Sequence, residues 1–86
     1  MQSGFVMKIS VEISYYPLHD EFVPHILDFI ERLNQHPELI VQTNGMSTQV
    51  FGEYDSVMGT LSTEIKKSFE LPHSVFILKM VNADLK

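Results

Sequence analysis

Polar side chains suited to binding a small molecule recur in two short stretches of the chain. The first stretch carries, at alternate positions, Glu12, Ser14 and Tyr16. The second carries Asn44, Ser47, Thr48, Gln49 and Glu53. A flat heterocycle needs fixed hydrogen-bonding groups and an aromatic or apolar surface to stack on, and the aromatic candidates are Tyr15, Tyr16, Phe51 and Tyr54. A carboxylate suits a protonatable aminopyrimidine, because it accepts hydrogen bonds from both the exocyclic amine and a ring N–H.

The same residues admit two other interpretations. Glu12 and Glu53 are a candidate general acid/base pair if neighbouring strands bring them together. Lys79 on the last predicted strand argues against catalysis, because it is placed to neutralise Glu12 in a cross-strand ion pair. The polar residues are also typical of a solvated sheet face or of a subunit interface.

Composition and motif content exclude several other kinds of chemistry. The chain has no cysteine, which rules out disulfides, thiolate catalysis and cysteine-ligated zinc. No Ser-His-Asp order, phosphate-binding glycine loop or HExxH motif is present. We expect no metal and no cofactor, because metal-ligand spacing is lacking among the histidines and solvated positions are predicted for His19, His25, His36 and His73. The expectation is a protein that is not an enzyme.

Charge and hydropathy argue against nucleic acid and membranes as binding partners. The net charge is −5 at pH 7 and the only adjacent basic pair is Lys66-Lys67, so we expect no nucleic-acid partner. No apolar run approaches the ~20 residues of a membrane span, and the first residues lack the pattern of a signal peptide. We therefore expect no membrane partner and a cytoplasmic location.

Hydrophobic periodicity predicts six elements that would position the polar residues. In order they are strand 8–16, helix 21–35, strand 39–43, strand 46–53, helix 55–70 and strand 74–82. The two middle strands are joined at Asn44-Gly45, a pair that favours a type I′ turn because both residues tolerate positive φ.

Two helix starts and one glycine are predicted in more detail. Asp20 is the candidate N-cap of the first helix, although Pro24 favours a start at the proline itself, since it disfavours helical geometry at the preceding residue. Asp55 or Ser56 is the candidate N-cap of the second helix. Gly59, inside that helix, is predicted to permit close approach of the sheet or of the other helix.

The order β-α-β-β-α-β predicts an α+β, ferredoxin-like fold, in which a four-stranded antiparallel sheet carries both helices on one face. Residues 7–86 would form a single domain, preceded by an N-terminal extension of residues 1–6. The first and third strands would be central. The other sheet face would be uncovered in a monomer, and the fourth strand is apolar on both sides apart from Lys79. We therefore expect a homodimer or homotetramer.

Strand alternation divides the candidate ligand-binding residues between the two sheet faces. Ser47 and Gln49 would share the uncovered face with Glu12 and Ser14, and Thr48 would point to the opposite face.

Two motifs and one lysine resemble the thiamine-binding YkoF-like family. They are E-I-S-Y-Y-P-L at residues 12–18, M-S-T-Q-V-F-G-E-Y-D at residues 46–55, and Lys79 on the last strand. The resemblance covers nearly the whole chain from Met7, including the order of elements. It implies a ferredoxin-like subunit, assembled as a dimer or tetramer, that binds thiamine or its hydroxymethylpyrimidine moiety with no known catalysis.

Glu12 and Ser14 occupy the first motif, and Thr48 and Asp55 occupy the second. The motif therefore favours Thr48 as a ligand-binding residue, whereas alternation favours Ser47 and Gln49. The name-giving member of the family is a tandem repeat and this chain is a single module, so the site is expected at, or shaped by, a subunit interface.

The expected function is non-enzymatic binding of thiamine or hydroxymethylpyrimidine for salvage, transport or sensing. An alternative is an ACT-like regulatory or interaction module, whose polar strand face is an assembly surface without a pyrimidine ligand. A third hypothesis is a small enzyme of the dimeric ferredoxin-like barrel type, with Glu12 and Glu53 as its catalytic pair.

Overall fold

The computed structural model describes residues 6–86, so most of the predicted N-terminal extension lies outside the described residues. The elements are β1 (Lys8–Pro17), α1 (Phe22–Leu33), β2 (Ile40–Thr43), β3 (Thr48–Glu53), α2 (Tyr54–Ser68) and β4 (Ser74–Val81). The predicted element order is confirmed, with boundaries displaced by one to two residues at most ends.

The four strands form one antiparallel sheet in the order β2-β3-β1-β4. β1 and β3 are central and β2 and β4 are edges, as the ferredoxin-like plan requires. Both helices cover one face of the sheet, and the other face, called the open face below, carries no helix. The predicted fold class is confirmed.

Alternation along the central strands builds the core between sheet and helices. β1 sends Ile9, Val11 and Ile13 into it, each at most 4% exposed. The helices contribute residues at helical spacing, and the fully buried ones include Phe29, Leu33 and Val57. Tyr15 extends the core toward β4, where its ring stacks on Phe76 with centroids 4.2 Å apart. Every second residue of β1 is thereby committed to the core, which leaves the intervening residues on the open face.

Both predicted helix caps are wrong. α1 begins at Phe22 after Glu21, which makes no side-chain capping hydrogen bond, so neither Asp20 as cap nor Pro24 as first residue is correct. Pro24 is tolerated as the third helical residue because the N–H groups of the first turn have no intrahelical partner. α2 is capped by Glu53, whose carboxylate accepts a hydrogen bond from the Ser56 backbone N–H at 3.2 Å.

Close packing against a glycine occurs at Gly52, before α2, and not at Gly59 within it. A Cβ at Gly59 would meet no atom within 4 Å, so this position does not serve close packing and that prediction is wrong. A Cβ at Gly52 would lie 3.2 Å from both Leu39 Cδ2 and Val57 Cγ2. The close approach of backbone to neighbouring side chains therefore occurs where β3 turns into α2.

A charged cluster joins the two helices. Arg32, with a side chain only 12% exposed, donates to Asp28 Oδ2 at 2.9 Å, to Glu64 Oε1 at 2.6 Å and to Ser68 Oγ at 2.6 Å. His36 Nε2 lies 3.0 Å from Glu64 Oε2, so this histidine is not the solvated side chain that was predicted. Partial burial alone would raise the pKa of Glu64, but the hydrogen bonds from His36 and Arg32 outweigh it and lower that pKa.

Candidate ligand-binding site

The strand register places Glu12 at the centre of the open face. Glu12 lies directly opposite Gln49 on β3 and opposite Lys79 on β4. Residues directly opposite in an antiparallel pair share a face, so carboxylate, amide and ammonium form one row across three strands. The shared face of Glu12 and Gln49 and the ion pair of Glu12 with Lys79 were predicted from alternation and topology, and both are confirmed.

Two neighbours hold the Glu12 carboxylate in its ionised form. Ser47 Oγ donates to Glu12 Oε2 at 3.0 Å, and Lys79 Nζ lies 3.4 Å from Glu12 Oε1. The hydrogen bond from Ser47, followed by the hydrogen bond and charge of Lys79, lowers the pKa of Glu12. At neutral pH the row therefore contains an ionised carboxylate, which accepts hydrogen bonds, beside the ammonium group of Lys79.

Asn44 positions Ser47 through the loop between β2 and β3. Its Oδ1 accepts hydrogen bonds from the backbone N–H groups of Met46 at 2.7 Å and of Ser47 at 3.1 Å. Its own backbone N–H donates to the Ser47 carbonyl at 3.1 Å. Neither Asn44 nor Gly45 has positive φ, so the predicted type I′ turn is wrong and the loop is closed by the asparagine side chain instead.

A pocket of about 320 Å³ opens beside the polar row on the open face. Glu12, Gln49 and Lys79 line one part of it, and the remainder includes Phe51 and Leu85. Phe51 is only 6% exposed although no helix covers this side of the sheet. The pocket thus combines a charged hydrogen-bonding edge with an apolar interior, the combination that orients a small planar ligand.

A second, smaller cleft of about 110 Å³ lies between α1, the end of β1 and the β2–β3 loop. Its apolar wall includes Phe29, and its polar lining includes four of the predicted binding residues, Ser14, Asn44, Ser47 and Thr48. Ser47 lines this cleft, and its hydroxyl also donates to Glu12, which lines the open-face pocket. The structure therefore divides the predicted binding residues between two neighbouring cavities.

Thr48 does not join Glu12. It is 6% exposed, faces the helix layer opposite Ile13, and its Oγ1 lies 3.3 Å from Thr43 Oγ1. Alternation therefore identified the neighbours of Glu12 correctly, and the motif position Thr48 belongs to the other face.

Two further predicted residues lie away from the polar row. Glu53 pairs with Lys8 and caps α2, four residues along β3 from Gln49, or roughly 13 Å at strand spacing. The structure does not bring Glu53 together with Glu12, so the pair of carboxylates proposed for catalysis is not assembled. Tyr16 is 51% exposed and lies opposite Val75, toward the far end of β1.

Sequence reasoning missed the contribution of the C-terminal residues to the pocket. Ser10 Oγ donates to the Ala83 carbonyl at 2.7 Å and accepts from the Leu85 backbone N–H at 2.9 Å. The one signal available was a small hydroxyl residue on the uncovered side of a central strand. Within residues 6–86 no group of three or more potential metal ligands is assembled, and no helix is long and apolar enough to cross a membrane.

No protein-family model matches the chain, and no curated protein matches it in sequence. Among solved structures, a Streptococcus pneumoniae protein superposes with a TM-score of 0.81 at 21% identity, covering 92% of this chain and 90% of that one. A Thermotoga maritima protein, provisionally named for thiamine biosynthesis or salvage, gives a TM-score of 0.77 at 20% identity, covering 92% and 84%. A hypothetical protein of Methanocaldococcus jannascii gives 0.76 at 23% identity, also covering 92% and 84%. At such identities the likeness shows that these chains share one fold.

Proposed function

We propose that the open-face pocket binds thiamine or its hydroxymethylpyrimidine moiety, as a cytoplasmic protein serving salvage, transport or sensing. The observation that carries the proposal is the ionised Glu12 carboxylate, fixed by Ser47 and Lys79 beside an apolar pocket. The resemblance of two motifs to the thiamine-binding YkoF-like family supports the choice of ligand. So does the provisional name of the Thermotoga maritima neighbour, which refers to thiamine.

The polar row fits an aminopyrimidine by its chemistry. A carboxylate that is about 40% exposed has oxygen lone pairs free for an exocyclic amine and a protonated ring nitrogen. Lys79 is 83% exposed, so its ammonium moves aside with little loss of packing when a cationic ligand arrives. Gln49 adds an amide with both donor and acceptor, and Phe51 offers an apolar surface to the ring.

The state of the carboxylates supports the proposal of binding rather than catalysis. The lowered pKa of Glu12 leaves it without a proton to donate at neutral pH, which disfavours a role as general acid. Glu53, the second carboxylate considered for catalysis, has its side chain committed to the N-terminus of α2. The proposed role therefore needs only recognition.

Calorimetry tests the proposal on the unmodified protein. Thiamine, its phosphates, and hydroxymethylpyrimidine are titrated separately, with an unrelated pyridine carboxylate as the negative control. We expect saturable binding of thiamine or hydroxymethylpyrimidine and none of the control. Absence of heat with every pyrimidine at millimolar concentration would reject the ligand assignment.

The edge strand β4 favours a second candidate function, an ACT-like interaction module. Ile77, Met80 and Val81 are each at least 40% exposed, although they lie on a strand eight residues long. Such an edge exposes both apolar surface and unpaired backbone groups, and self-association removes both. We propose a homodimer or homotetramer formed through β4. If assembly is the only role of the open face, Glu12→Ala changes the oligomer size and no pyrimidine binds.

A further inference from the structure

The residues after β4 fold back across the open face. Ser10, on β1, is only 7% exposed and uses its single hydroxyl twice, donating to the Ala83 carbonyl and accepting from the Leu85 N–H. Because both contacts are to backbone atoms, they fix the path of the chain independently of the side chains it carries. The result is one anchored turn of residues 83–85 over the beginning of β1.

This turn lies at the apolar side of the candidate pocket. Ser10 pairs with Phe51 on one side and with Val81 on the other, so all three occupy the row next to that of Glu12. Leu85 lines the same pocket as Phe51 while remaining 66% exposed itself. A leucine side chain that is mostly in water thus forms the outer wall of the pocket, beside a phenylalanine that is almost fully buried.

We infer that residues 83–85 form a strap that closes the apolar half of the open-face pocket, and that ligand binding and strap docking stabilise each other. The inference rests on the proposed function and adds a regulatory element to the same site. A planar ring held at Glu12 extends toward Phe51 and meets Leu85 from below. The ring then contacts the exposed Leu85 side chain, so the ligand and the docked strap bury apolar surface against each other.

The strap can detach from β1 while the strands of the sheet remain paired. In the described residues, the hydrogen bonds that tie the strap to the sheet are those of Ser10, whereas β4 itself pairs with β1 from Ser74 to Val81. Segments held by few contacts open at a much lower free energy than strands in a core. A ligand that contacts only the closed strap shifts its equilibrium by the difference in affinity between the two states.

The test compares Ser10→Ala with Ser62→Ala, a matched removal of a hydroxyl from the exposed surface of α2. Hydrogen exchange of the Leu85 amide reports on the strap, and calorimetry with thiamine reports on the pocket. We expect Ser10→Ala to remove the exchange protection of Leu85 and to weaken thiamine binding about tenfold, since two hydrogen bonds of ordinary strength are lost. Ser62→Ala should change neither. Thiamine binding that is equally tight in wild type and Ser10→Ala would overturn the strap and leave the proposed function standing.

A second variant tests the strap independently, in case Ser10→Ala fails to fold. Leu85→Ala shortens the wall, and Leu27→Ala removes a similarly exposed leucine from α1 as the control. We expect severalfold weaker thiamine binding only in Leu85→Ala. If the wild type binds no thiamine, the proposed function fails. The strap is then tested with the dye anilinonaphthalene sulfonate, whose fluorescence rises when it binds exposed apolar surface. Higher dye fluorescence in Ser10→Ala than in the wild type, caused by exposure of Phe51, supports the strap. Equal fluorescence in the two proteins overturns it.

Discussion

The hydroxyl of Ser47 donates to the Glu12 carboxylate at 3.0 Å, joining the β2–β3 loop to the middle of a central strand. The loop that supplies Ser47 is itself fixed by Asn44, whose side chain accepts from two backbone N–H groups. Lys79 approaches the other carboxylate oxygen from β4. The negative charge at the centre of the open face is thus held from both sides.

Removing the Ser47 hydroxyl should raise the pKa of Glu12 toward its ordinary value, because this hydrogen bond is the largest contribution to the lowered pKa. Ser47→Ala also removes one constraint on the carboxylate, so thiamine affinity should fall severalfold. Carboxyl ¹³C titration by NMR measures the first effect and calorimetry the second. Ser62→Ala is the control, and an unaltered Glu12 titration in Ser47→Ala would show that the hydrogen bond does not hold the charge.

Glu64 should make stability fall in acid. Its folded-state pKa lies below the ordinary value of 4.5, so its contribution is fully present above that pH and is lost as pH falls through the folded pKa. Glu64→Gln should lower the free energy of unfolding at pH 7 by about 2 kcal/mol, since the partly buried Arg32 keeps only the exposed Asp28 as a partner charge. It should also flatten the acid dependence.

Urea unfolding from pH 7 to pH 3 measures both effects of Glu64→Gln. Glu31→Gln, at an exposed position on α1, is the matched control and should leave the curve unchanged. An acid dependence of the same slope in Glu64→Gln and in the wild type would contradict the assignment.

Two glycine substitutions should act in opposite directions. Gly52→Ala should destabilise by about 1 kcal/mol, because its methyl group would meet Leu39 and Val57 at 3.2 Å and both are buried. Gly59→Ala should stabilise by up to about 1 kcal/mol, since the methyl group enters open space and alanine favours the helix. Thermal unfolding distinguishes them, and equal shifts of the same sign would be inconsistent with this packing.

A lysine on the β4 edge should prevent assembly. Ile77 is 58% exposed on the open face, and a charge buried there in each copy should weaken self-association at least about a hundredfold. Sedimentation velocity of Ile77→Lys should show monomers where the wild type shows dimers or tetramers. Leu27→Lys, at a residue 59% exposed on α1, is the control. Dissociation by the α1 variant alone would place the interface on the helices instead.

Alternation and element order were sufficient to predict the fold and which residues share a face with Glu12 in the candidate site. Period-two patterns on β1, β3 and β4 assign each side chain to a face, and the ferredoxin-like topology makes these strands neighbours. Glu12, Gln49 and Lys79 were therefore expected on one face, and the register of the structure places them side by side. The same alternation correctly assigned Thr48 and Ser47 to opposite faces of the sheet. These predictions succeeded because the two-residue alternation of side chains in a strand is fixed by backbone geometry, and burial of one sheet face maintains it.

The failures concern side chains whose partners are distant in sequence. His36 was predicted to be solvated, because nothing local in the sequence shows that α2 brings Glu64 to it. Glu53 was predicted to bind the ligand through its carboxylate. It lies at the end of β3, directly before α2, and its side chain caps that helix. The fold-back of residues 83–85 depends on one hydroxyl far away in the chain. Such contacts follow from tertiary geometry and leave no periodic pattern.

The most direct test of the account is thiamine binding by Glu12→Gln, measured by calorimetry beside Glu31→Gln. The amide keeps the size of the side chain but removes the charge and offers one acceptor oxygen where the carboxylate has two. Glu12→Gln should bind thiamine at least about a hundredfold more weakly than the wild type, since charge-assisted hydrogen bonds contribute roughly 1.5–3 kcal/mol each. Glu31→Gln should bind like the wild type. Unchanged thiamine affinity in a folded Glu12→Gln protein would contradict the account.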